Sequence, residues 1–139
     1  MTRFSTLLPI FLAASVAACT TAADTPEVTR EASIAWHELG SWSGRGHRQT
    51  ESYTSDASAW RVNWETTNAA PTGSAFVLTI HSAISGRPLE ELVSHEGAGK
   101  GTAYFSEDPR VFHAVIDSTG LDWTFTIEEA VVGSVARSE

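Results

Sequence analysis

Trp60-Arg61-Val62-Asn63-Trp64-Glu65 alternates large apolar and polar side chains without a break. Successive side chains of a strand point to opposite faces, so this run predicts a half-buried strand. Trp60, Val62 and Trp64 would face a core, and Arg61, Asn63 and Glu65 would face away from it. The period-two pattern recurs in Phe76, Leu78 and Ile80, and again in Phe112, Ala114 and Ile116. It returns in Trp123, Phe125 and Ile127, with Asp122, Thr124, Thr126 and Glu128 on the opposite side. Turn-forming residues separate the runs: the segment 68–73, Ser85-Gly86-Arg87-Pro88, Glu107-Asp108-Pro109 and Ser118-Thr119-Gly120. Strands at this spacing predict an all-β, antiparallel β-sandwich of jelly-roll-like form with about seven to nine strands. The segment 89–93 reads two ways, because Leu89, Leu92 and Val93 also suit one helical turn.

The amino terminus has a different character. Met1-Thr2-Arg3 is a short basic leader, followed by Leu7-Leu8-Pro9-Ile10-Phe11-Leu12 and a small apolar run to Ala18. A helix needs about 20 apolar residues to span a bilayer, and this stretch is shorter. It fits the apolar segment of a secretory signal peptide, over residues 1–18. The run ends Val16-Ala17-Ala18-Cys19 and resembles the lipobox of bacterial lipoproteins. The resemblance implies that Cys19 is lipidated and becomes the first residue of the mature chain. With more than one acyl chain the anchor is stable, since each buried methylene contributes about 0.8 kcal/mol. Cys19 is the only cysteine, so the domain cannot form an internal disulfide. Thr20 follows it, not the aspartate that retains such proteins at the inner membrane. In a Gram-negative envelope the resemblance therefore implies the outer membrane.

Residues 19–33 are rich in Thr, Ala and Glu, and read as a lipidated terminus and flexible tether. The expected domain occupies residues 34–139. Residues 1–18 hold one of the nine Lys and Arg residues and none of the 17 acids, which leaves eight bases and a formal charge of −9. Phosphate backbones demand clustered bases, and Lys100 is the only lysine, so nucleic acid is excluded as a partner. An acidic surface also repels anionic lipid. The membrane is expected as a partner through the lipid anchor alone, with a protein or glycan partner for the domain itself.

Five tryptophans are many for so small a domain. Trp60, Trp64 and Trp123 fall on apolar stripes and are expected in the core. Trp36 and Trp42, beside Gly40, Gly44 and Gly46, either cap one end of the core or form an exposed aromatic pair for ligand stacking. The segment Gly44-Arg45-Gly46-His47-Arg48-Gln49-Thr50-Glu51-Ser52-Tyr53, followed by residues 60–65, resembles a pattern of small exported bacterial proteins. Gly97-Ala98-Gly99-Lys100-Gly101-Thr102-Ala103-Tyr104 and the strand 122–128 continue that pattern. The match implies a β-sandwich and no particular activity. The domain is also loosely similar to the pre-peptidase carboxy-terminal sandwich, an accessory module.

Candidate chemistry is sparse. Gly97–Thr102 lacks the early glycine and the Ser or Thr after lysine that a phosphate loop requires, so its glycines predict a turn or bulge. Gly40-Ser41-Trp42-Ser43-Gly44 has tryptophan where a nucleophile elbow needs serine. His37, His47, His81, His95 and His113 lack metal-ligand spacing, although His81 and His113 would share a polar face if their strands paired. Glu90-Glu91 and Glu128-Glu129 alternate faces, which excludes a carboxylate dyad within either pair. Glu107-Asp108 lies in a turn without a calcium-loop pattern. No catalytic residue, metal ligand or cofactor is expected. The expectation is a lipid-anchored envelope protein with a non-catalytic binding or structural domain. The alternatives are a carbohydrate- or peptidoglycan-binding module and a small metal-dependent enzyme.

Overall fold

Each alternating run pairs with another far along the chain, and the pairs assemble two antiparallel sheets. The structure, a computed structural model, describes residues 30–136. The expected leader 1–18, Cys19 and the chain before Arg30 lie outside the described residues. The strands are β1 (Arg30–Arg45), β2 (Arg48–Gln49), β3 (Tyr53–Ser55), β4 (Ala59–Thr67), β5 (Ala75–Ser82), β6 (Pro88–Glu96), β7 (Gly99–Ser106), β8 (Arg110–Thr119) and β9 (Asp122–Ala136).

One sheet has the order β1-β9-β4-β7, and the other β2-β8-β5-β6 with β3 also on β8. All neighbours are antiparallel. The chain changes sheets at every connection except β2–β3, two pieces of one interrupted strand, and the β5–β6 hairpin. This is the jelly-roll form of a β-sandwich.

The core lies between the sheets and is aromatic. Trp60, Val62, Phe76, Leu78, Ile80, Phe112, Ala114, Ile116, Trp123, Phe125 and Ile127 are buried, as the alternation predicts. Trp60 meets Phe112 edge-on at 4.1 Å between ring centroids and Phe105 at 4.9 Å. Each such side chain contributes roughly 1.5–3 kcal/mol through burial. Tyr53 joins the cluster, but its hydroxyl is buried with no hydrogen-bond partner among the described residues.

The structure settles one ambiguity of the sequence and departs from its reading in two places. Segment 89–93 belongs to a strand, β6, because Leu78↔Val93 and Thr79↔Glu91 pair it to β5. The domain begins earlier than residue 34: Arg30 pairs with Ala136 and Ser33 with Gly133, so residues 30–33 are strand and not tether. Long-range pairing outweighs their polar, flexible composition. Trp64 is only half-buried, packed against the core beside the His95 ring at 5.0 Å.

Candidate functional site

The outward side chains of the β1-β9-β4-β7 sheet form an open face with both stacking and hydrogen-bonding groups. Its aromatic end is built by alternation. Phe105 points into the core, so its neighbour Tyr104 must point out, and it is 67% exposed. Trp36 lies on β1 opposite Ala130, whose small side chain leaves room for the indole to lean across the sheet. The Arg61 guanidinium sits 4.5 Å from the Trp36 ring centroid. The Trp36 and Tyr104 rings are 6.3 Å apart at 58°. Arg61 pairs in register with Tyr104 on one side and Glu128 on the other, so the three strands place cation, ring and carboxylate in one row.

That row is internally compensated. Arg61 Nε donates to Glu128 Oε2, and Asn63 Nδ2 donates to the same oxygen at 2.8 Å. The Arg61 bond holds the Glu128 carboxyl below its ordinary 4.5, and the same bond raises the guanidinium pKa. A carboxylate so stabilised is a poor proton donor near neutrality. The next row is neutral. Thr102 Oγ1 donates to Asn63 Oδ1 at 2.8 Å, and the Ser41 and Thr126 hydroxyls share a 2.9 Å hydrogen bond. Beyond it lies a shallow depression of about 460 Å³ between Asn63, Glu65, Lys100, Thr102, Thr124 and Thr126.

Trp36 and Trp42 do not form an exposed pair. Six positions apart, they would share a face of an unbroken strand, but β1 shifts register between Glu38 and Gly40. The extra residue reverses the phase, turning Trp36 outward and Trp42 inward. Trp42 is 8% exposed, stacked on Phe125 at 5.2 Å, with Nε1 donating to Glu51 Oε1 at 3.1 Å. Its ring is thereby withdrawn from any stacking platform, and Tyr104 stands as the partner of Trp36. The signal for Tyr104 was present beside Phe105. Its proximity to Trp36 was not, because five strands separate them in sequence and only sheet order joins them.

The other candidates fall as follows. Gly97, with φ +78°, closes the β6–β7 turn, as its glycine-rich context predicts. His81 and His113 stand directly opposite each other on paired strands. Glu128 faces outward, and Glu129 turns to the other side, where it accepts from Ser55 Oγ at 2.7 Å and lies 3.4 Å from His37 Nδ1. Glu107 is held by Arg110 at 2.7 Å. No group of three His, Cys, Asp or Glu side chains able to hold a metal occurs among the described residues. Compared with known proteins, the chain matches no family model and no curated sequence.

Proposed function

We propose that this chain is a lipid-anchored envelope protein whose jelly roll is a non-catalytic glycan-binding domain. Cys19 carries the lipid and holds the domain at the membrane, on the outer membrane in a Gram-negative envelope. One observation carries the ligand reading: the outward cluster of Trp36, Arg61 and Tyr104 beside a row of hydroxyl and amide groups. Sugars present flat apolar faces edged by hydroxyls, and this surface offers rings for the first and donors and acceptors for the second. The charges of the platform are matched, Arg61 with Glu128, which favours a neutral polysaccharide over an anionic one. These residues carry the reading, since a jelly roll by itself hosts many functions.

The test is titration of the purified protein with soluble polysaccharides and peptidoglycan fragments, followed by tryptophan fluorescence and calorimetry. Binding should shift the emission, and Tyr104→Ala or Trp36→Ala should weaken it by about tenfold or more, as for aromatic anchors elsewhere. If no glycan binds, or if both variants bind as the wild type does, the reading fails. The anchor is tested apart: labelled palmitate should enter the wild-type protein and not a Cys19→Ala variant.

A second reading is favoured by Ile34 and Val132, paired on the same outer side and 65% and 75% exposed. They extend the apolar end of the face where β1 and β9 run past β4, and they suit a protein partner. A pull-down from crosslinked envelopes that is abolished by Ile34→Asp, with glycan binding absent, would select it.

A further inference from the structure

We propose that His81 and His113 form a two-imidazole binding site for a divalent transition metal ion, on the outer face of the second sheet. It is independent of the glycan face, which lies on the other sheet.

The register carries the first step. His81 on β5 and His113 on β8 are directly paired, and residues opposite each other in an antiparallel ladder project to the same face. Their ring centroids are 5.3 Å apart. With a zinc–nitrogen distance of about 2.0–2.1 Å, a ligating ring centre lies about 3.2 Å from the ion, and two centres at that separation subtend an angle of about 110°, close to tetrahedral.

The orientation of the rings carries the second. His81 Nδ1 lies 3.0 Å from the carbonyl oxygen of Gly86. A carbonyl can only accept, so Nδ1 bears the proton, and in the neutral ring Nε2 keeps a free lone pair. This is the arrangement in which a backbone carbonyl orients a metal-bound imidazole. Gly86, at φ +71°, belongs to the tight β5–β6 turn, so the turn itself aims the ring. His113 is 8% exposed and its ring makes no side-chain hydrogen bond to another described residue. In its neutral form each ring can donate a lone pair to an ion.

The chemistry carries the third. Imidazole suits zinc, copper and nickel, and not calcium or magnesium. No third protein ligand completes the sphere among the described residues, so the remaining positions are open to water or a small ligand. A chain of formal charge −8 also attracts cations.

The test uses the purified full chain, stripped with chelator and titrated with zinc, copper or nickel chloride by calorimetry and by heat denaturation. One ion per chain should bind and raise the melting temperature, and chelator should reverse the rise. His81→Ala, at the more exposed position, should weaken binding by about tenfold or more while circular dichroism shows an unchanged fold. His113→Gln should do the same. A variant with His37, His47 and His95 all changed to Ala should bind as the wild type does. Absence of binding, wild-type affinity in His81→Ala, or loss of binding in the triple variant would each overturn the site.

Discussion

Replacing Gly40 with alanine tests the phase reversal that turns Trp42 inward and leaves Trp36 outside. A Cβ at residue 40 would stand 2.4 Å from Trp42 Cη2 and 2.7 Å from Cζ2. Carbon atoms pack at about 3.5–4.0 Å, so the indole would have to retreat by about an ångström. It has nowhere to go. Phe125 is stacked 5.2 Å from the ring and Tyr53 lies 5.9 Å away, while Nε1 is tied to Glu51. Overpacking of this kind costs about 1–3 kcal/mol, and the lower chain entropy of alanine returns about 0.5–1 kcal/mol. The net loss is about 1–2 kcal/mol, which for a domain of this size lowers Tm by about 5–15 °C. Gly133→Ala is the internal control, because the nearest atom to its new Cβ, Ser33 Oγ, is 3.6 Å away. Thermal unfolding followed by near-ultraviolet circular dichroism reads both variants. Equal melting temperatures for Gly40→Ala and Gly133→Ala would refute the inward placement of Trp42.

Three further outcomes are expected. Tyr53→Phe should leave stability unchanged or raise it by up to about 1 kcal/mol, because it removes a buried hydroxyl without a partner; a loss above that amount in urea unfolding would show that the hydroxyl is bonded. Glu128 should contribute stability that is complete above its ordinary 4.5 and lost as pH falls through its lowered folded value, since protonation dissolves the bond to Arg61. The stability gap between wild type and Glu128→Gln should therefore narrow as pH falls below about 4.5 in denaturant titrations, and a constant gap would contradict the pairing. Gly97→Ala should destabilise by about 1 kcal/mol, because φ +78° is strained for any residue with a Cβ; an unchanged urea midpoint would mean the turn relaxes.

Much of the sandwich is legible in local order. The placement of Trp60, Val62, Phe76, Leu78, Ile80, Phe112, Ile116, Trp123, Phe125 and Ile127 in the core follows from alternation alone. So does the opposite facing of Glu128 and Glu129. Segment 89–93 was ambiguous because a short apolar run satisfies both periods until a partner strand selects one. Residues 30–33 read as tether because no apolar stripe marks them, yet their backbone pairs with the end of β9, a partner about a hundred positions away. The outward aromatic face is half visible in the sequence: Trp36 stands out as an aromatic candidate, while Trp42, which could pair with it, belongs to the core.

From the sequence by itself come the strand period, the inward and outward sides of each run, the turns that end them, and the acidic balance of the chain. These depend on neighbours along the chain, where a residue's side is set by parity. Tertiary structure alone decided which strands lie side by side, and so which outward residues meet: Trp36 with Arg61 and Tyr104, His81 with His113. It alone also decided where one inserted residue reverses the parity of β1. The physical reason is that side-chain alternation is a local property, whereas pairing and bulges are set by the packing of distant strands against a shared core.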